Sequence, residues 1–226
     1  SYSPMLLLSE LLLKQWSEPV TPFVLMRGLL TYCTVTIPGY AGFDNLQSLM
    51  RLFAEFGFIA LGMAFCLIAG GIDLSVGANF ALCNFAALFF LHVMGWPAGL
   101  VCIATLAVGI GVGAINGVLI GYIKARPFLT TLVTLIILRA SVNILSEKYA
   151  TVFATGSVES DAWDFIGEGF VFGIPINAAV LILVLLVGHV FLSRSRYGWH
   201  ITAIGASRKA ARHAGIRVER MLFATY

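Results

Sequence analysis

From Ala98 to Ile123 the chain carries no charged residue. A helix rises about 1.5 Å per residue, so such a run exceeds the ~30 Å needed to cross a hydrocarbon core. Five further apolar stretches lie at about Thr21–Ile37, Leu49–Ala69, Val76–Met94, Phe128–Leu145 and Val171–Leu192. All are continuous and lack the strict alternation of an outer-membrane barrel, which points to helices. Across 226 residues the chain is 59% hydrophobic and 11% charged, against about 25% charged in soluble domains. A soluble fold of this size cannot bury that much apolar surface. The reading is an all-α polytopic membrane protein, one transmembrane domain over residues 1–226 with about six spans. MLFATY after Arg220 reads as the opening of a seventh span, and the chain as truncated before its C-terminal part.

The weakest stretch is the first, which contains Arg27. The second holds Arg51 and Glu55 in its first turns, the fifth holds Arg139, and Pro175 interrupts the sixth near its start. Arg27, Glu55 and Arg139 could each line a path or pair at an interface, but snorkelling or an internal ion pair is the commoner fate. The first residues, SYSPMLLLSELLLKQW, read as a short interfacial helix rather than a cleavable signal. Orientation follows from charge. Seven of the 14 Lys and Arg fall between Ser193 and Arg220, and Lys124 and Arg126 lie between the fourth and fifth spans. Both loops are expected in the cytoplasm, and two intervening spans place them on one side. Five of the 11 acids, from Glu147 to Glu168, fall in a loop on the opposite side.

Two motifs carry more than hydropathy. Gly109, Gly113, Gly117 and Gly121 recur every four residues, which sets them on one helical face suited to close helix packing. The stretch CLIAGGIDLSVGANFALC places Asp73 in an otherwise uncharged run, flanked by Gly70, Gly71 and Gly77. Two readings fit. In one, GGIDLSVG is a loop in which Asp73 or Ser75 caps the next helix. In the other the spans are broken at membrane depth, with polar half-helix ends facing a protein-lined path. Cys33, Cys66, Cys83 and Cys102 show no metal-ligand spacing, and the four histidines are scattered, so no metal site is expected. No clustered His, Ser or acid pair suggests an enzyme.

GGIDLSVG resembles the hallmark of permease subunits of ribose-type sugar ABC importers, within the larger branched-chain amino acid and sugar permease family. GAINGVLIGYIKARPFLTTLVTLIILRA, GIPINAAVLILVL and SRYGWHITAIGASRKAARHAGIRVERMLFATY resemble further blocks of that family, in order, so that the likeness covers about Phe43 to Tyr226. The resemblance implies a dimeric pore in the bacterial inner membrane, with a second identical or related permease chain. A periplasmic sugar-binding protein would deliver solute, and a separate ABC ATPase would drive alternating access. ATP and Mg would bind that ATPase; this chain has no GxxxxGK[ST] motif and should bind no cofactor itself. Gly70, Gly71, Asp73, Ser75 and Gly77 would then line or gate the solute route.

The same resemblance gives residues 193–220 a role as a cytoplasmic coupling loop. Lys209, Ala210, Ala211 and Gly215 match the spacing of an EAA-type helix that docks on the ATPase. Read alone, the cations there only set topology. Small Ala210 and Ala211 allow close packing, and Gly215 can end a helix in a left-handed conformation. Several residues depart from the family pattern. Lys209 stands where Glu is usual, Gly205–Ser207 reads GAS instead of Gly-Gly-Asn, Trp199 replaces a common Arg, and Ala140 replaces a Gly. An ATP-independent secondary transporter or channel is the alternative from another class, and an ABC permease for amino acids or nucleosides a lesser one. Membrane lipid is an expected partner, nucleic acid is not.

Overall fold

The computed structural model describes residues 23–155 and 161–226. The chain divides into two compact units, residues 1–50 and 51–226. In the first, α1 (Phe23–Thr36) is a 14-residue apolar helix. Thr31, Thr34 and Thr36 each return a hydroxyl bond to the carbonyl four residues back, which satisfies their polar groups inside an apolar sequence. Among the described residues five helices are long and apolar enough to cross a membrane, and the first apolar stretch is described as helix over Phe23–Thr36. The expected N-terminal interfacial helix lies outside the described residues.

The long helices are α2 (Phe43–Ile68), α3 (Val76–Leu88), α4 (Ala98–Gly117), α5 (Pro127–Thr155) and α7 (Ile176–Arg194). Short π-helical segments, Phe89–Val93 and Val118–Tyr122, extend α3 and α4. Between α5 and α7 lie α6 (Asp161–Glu168) and a hairpin of β1 (Phe170–Val171) and β2 (Ile174–Pro175). The sixth apolar stretch thus becomes a helix only from Ile176. Pro175 has no N–H to donate and its fixed φ suits the position just before a first turn. After α7 come α8 (Arg196–Ala206), α9 (Arg208–His213) and α10 (Val218–Thr225). The most apolar windows of the long helices are only 6–17% buried within the chain. Their side chains face outward, as in a protein solvated by lipid or by further helices.

The two ends of the second unit differ. At one end Arg51 donates to the Gly167 and Glu168 carbonyls (3.4 and 2.7 Å) and lies 4.8 Å from the centre of the Phe170 ring. That accounts for one intraspan charge, at the acidic side. Trp96 stacks on Phe90 at 4.8 Å beside Trp163, an arrangement typical of an interface belt. The other end gathers loop 69–75, Lys124, and the basic helices α8 to α10. This matches the charge asymmetry read from the sequence.

α3 and α5 run parallel and pack through Phe85 on Phe153 (5.7 Å between centres) and Phe89 on Tyr149 (5.2 Å). α10 runs back along α4 over the glycine row. A methyl at Gly121 or Gly117 would sit 2.6 Å from the carbonyl oxygen of Glu219 or Phe223, and one at Gly113 would overlap the Tyr226 carbonyl. Gly109 instead faces the Cys83 sulfur, with 3.1 Å available. Backbone approaches this close are open only to glycine.

Candidate functional site

Helix α2 ends in a Schellman motif. Gly70 adopts φ +74°, its N–H bonds the Leu67 carbonyl at 3.0 Å, and the Gly71 N–H reaches back to Cys66 at 2.9 Å. A side chain at Gly70 would be strained there. The chain then crosses Ile72–Ser75 and starts α3 at Val76. Ser75 occupies the N-cap position, but its hydroxyl makes no capping bond to the helix. Instead Asp73 Oδ1 accepts from both the Ser75 N–H (2.8 Å) and the Ser75 hydroxyl (2.6 Å). Asp73 therefore holds the residue that begins α3 rather than the free N–H groups of its first turn.

That turn is tied to two other helices. Asn116 of α4 donates its amide to the Ser75 hydroxyl at 2.9 Å and accepts the Thr134 hydroxyl of α5 at 2.7 Å. Thr131 of α5 accepts the Leu74 N–H at 3.2 Å and lies 3.2 Å from the Ile72 carbonyl. Asp73, Ser75, Asn116 and Thr131 are all buried. A buried polar network is stabilising only when its members are satisfied, and these satisfy one another. The arrangement is a polar latch that joins the start of α3 to α4 and α5.

The latch lies inside the bundle. Asn116 is seven residues before Ile123, which closes the π-helical tail of α4, and Thr134 is seven residues after Pro127, where α5 starts. At 1.5 Å per residue both sit about 10 Å in from those helix ends. The Asp73–Ser75 turn is thus tied to positions about two helical turns in from the neighbouring helix ends. Gly71 lies against Tyr226, whose buried hydroxyl has no hydrogen-bond partner among the described residues, and a methyl there would overlap it. Gly77 stands apart on α3, with nothing within 4 Å of the place a methyl would take.

Below the loop, α8 crosses its backbone. Gly205 packs against the Ile68 carbonyl so closely that a methyl would collide with it, and lies against Gly70. Arg208 reaches the Gly70 carbonyl at 3.4 Å. Ile201, Ile204, Ala211, Val218, Met221 and Leu222 form an apolar cluster with Ala69. Of the residues matched to a coupling helix, Ala211 is buried in this cluster, whereas Lys209 and Ala210 face outward. Ser207 caps α9 by accepting the Ala210 N–H at 3.2 Å, a task Asn performs equally well. Gly215 ends α9 at φ +80° in a second Schellman motif, through Gly215 N–H to Arg212 and Ile216 N–H to Ala211. A cleft of about 460 Å³ opens between α9, α10 and the tail of α4, lined by Lys124, Arg208, Lys209, Arg212, His213 and Glu219. Glu219 pairs with Arg212 at 2.7 Å. Its carboxyl is held below the usual carboxylate range, first by its own backbone N–H, with Arg212 and Lys124 adding to the effect.

Residues 45–226 match the family model described as branched-chain amino acid transport system / permease component. The chain belongs to this permease family. Similar proteins include the ribose import permease protein RbsC of Bacillus subtilis, 33% identical over 209 residues, which cover 92% of this chain and 64% of that protein. The fructose import permease protein FruF of Bifidobacterium longum is 29% identical over 188 residues, covering 83% of this chain and 52% of that protein. The L-arabinose transport system permease protein AraH of Escherichia coli is 29% identical over 205 residues, covering 87% and 58%. The chain thus spans about half to two thirds of the length of the curated relatives it matches. No solved structure matches it.

Reading the sequence brought out Asp73 and Ser75 but not the residues that hold them. Asn116, Thr131 and Arg208 bond the loop from 41, 57 and 138 positions away, and Thr134 bonds Asn116. One signal was available for Asn116, a polar side chain amid the apolar, glycine-rich run of the fourth span.

Proposed function

We propose that this permease chain is the transmembrane subunit of a bacterial ABC importer for a sugar or sugar-like solute in the inner membrane. The observation that supports it most is the set of relatives named for ribose, fructose and arabinose import, which align over 83–92% of the chain. A binding protein outside delivers solute, a second permease chain completes the path, and a separate ATPase with ATP and Mg drives the cycle. A solute bound equally well in two states shifts neither, so the ATPase must bias them.

In this reading α9 docks on the ATPase through its outward face at Lys209 and Ala210, while Ala211 and Gly215 fix it to the permease. Movement of α9 reaches loop 69–75 along a short route, since Arg208 and Gly205 both touch its backbone. The loop, with Gly70, Gly71, Asp73 and Ser75, acts as the gate, and its latch to Asn116 and Thr134 sets how readily it yields. Proteoliposomes holding the full-length permease with its ATPase test the function. Uptake that requires both the ATPase and hydrolysable ATP is expected. Uptake that persists without the ATPase and follows an ion gradient would favour a secondary transporter.

A further inference from the structure

Arg139 is a charge within a span for which the described residues supply no partner. It lies 12 residues after Pro127, about 18 Å along α5, and 16 residues before Thr155, about 24 Å from that end. The apolar part of α5 ends nearer, at Leu145, six residues or about 9 Å beyond Arg139, so the charge starts well inside that apolar segment. Among the described residues Arg139 has no ion-pair or hydrogen-bond partner, and the ion pair they contain is Arg212–Glu219. The internal ion pair expected for this residue is therefore absent among the described residues.

Arg139 and Asn143, both exposed side chains, border an open cleft of about 370 Å³ between α3 and α5, within the ~300–1,000 Å³ typical of small-molecule sites. Arg139 and Asn143 are one turn apart on the same face of α5, so both polar ends serve one space. Leu135 and Val142 supply apolar wall, and across from them α3 offers only Gly77, Ala78 and Ala81. Gly77 is the last glycine of GGIDLSVG and has open space before it. It follows Ser75, a member of the latch, by two residues.

We propose that this cleft is a solute subsite for a neutral, polyhydroxylated molecule, with Arg139 and Asn143 hydrogen-bonding its hydroxyl groups. The assignment rests on the proposed import function and adds the residues that meet the solute in transit. A planar guanidinium offers five donors suited to adjacent hydroxyls, and the Asn143 amide adds both a donor and an acceptor. That acceptor suits a hydroxyl and opposes an anion. The small α3 residues leave room for a ring, whose C–H face meets Leu135 and Val142. A charge at this depth is tolerable when it faces a water-filled path. Occupancy would be felt one turn from the latch, which ties solute to gate.

Two measurements on the full-length permease decide it. In proteoliposomes with the ATPase, Arg139→Gln and Ala81→Leu should each raise the KM for whichever of D-ribose, D-fructose or L-arabinose is imported at least tenfold. Arg139→Lys should fall between, and Ile137→Ala, exposed on the same helix, should leave KM unchanged. An unchanged KM in both Arg139→Gln and Ala81→Leu overturns the subsite. Should those variants fail to accumulate, single cysteines at 81 and 143 are introduced after replacing Cys33, Cys66, Cys83 and Cys102. A charged methanethiosulfonate reagent should modify both positions, and one of the three sugars should slow modification. Unreactive cysteines, or reactivity that none of the sugars alters, refutes the proposal. If the wild type imports none of the three, the import function fails for those sugars, while protection by one of them still supports the subsite.

Discussion

Replacing Asn116 by alanine removes the hinge of the latch while leaving the helix that carries it intact. The side chain makes two hydrogen bonds, to the Ser75 hydroxyl and from the Thr134 hydroxyl. A buried hydrogen bond contributes about 0.5–1.5 kcal/mol net, and pairs measured within membranes average about 0.6 kcal/mol. Both former partners keep a second bond, Ser75 to Asp73 at 2.6 Å and Thr134 to the Thr130 carbonyl at 3.1 Å. Neither is left unsatisfied, so the loss is set near the sum of two modest bonds, about 1–2 kcal/mol. If the latch holds the loop shut, that shifts its opening equilibrium by a factor of about 5–30. Cys66 is a native reporter, because it is 3% exposed and lies just before the Gly70–Gly71 turn, bonded to the Thr225 carbonyl. With the other three cysteines replaced, the rate at which N-ethylmaleimide modifies Cys66 should rise 5–30-fold in Asn116→Ala. Ile115→Ala, an exposed neighbour, should leave the rate within twofold. Equal rates in the Asn116 variant and its parent would refute the idea that these bonds restrain the loop.

Three further outcomes follow from the close contacts and the basic face. Gly205→Ala drives a methyl into the Ile68 carbonyl and should lower stability by roughly 1–3 kcal/mol or more, seen as a fall in Tm, whereas Gly111→Ala, with open space around it, should not. Ser207→Ala should destabilise α9 by about 1 kcal/mol and Ser207→Asn should not, read by hydrogen exchange at Ala210 and Ala211. Lys209→Glu leaves the fold alone, since its side chain faces outward. It should weaken co-purification with the ATPase in low salt more than in high salt, and equal recovery at both would remove charge from the docking.

The spans were legible because hydrophobic length is a local property. Ala98–Tyr122 and Val76–Val93 lie within a residue of the stretches read from hydropathy. α5 was read too short, ending at Leu145 rather than Thr155, because Glu147 and Lys148 lower the hydropathy of a helix that continues past the apolar core. Pro175 was seen as an interruption, yet the preceding residues form a hairpin, which a short apolar run does not reveal. The spacing of the four glycines showed a face but could not name what lies on it. α10 covers three of them and α3 meets the fourth. Asp73 stood out by charge alone, whereas its restraint by Asn116 and Thr131 depends on helices that meet only after folding.

The proposed gate requires loop 69–75 to leave Asn116 during each transport cycle. Ser75→Cys and Asn116→Cys, introduced together in a background lacking the native cysteines, can be joined by a short bifunctional methanethiosulfonate. ATP-dependent sugar uptake should cease once the bridge forms and return when a reductant cleaves it. Uptake at the uncrosslinked rate with the bridge fully formed would contradict the claim that this loop is the gate.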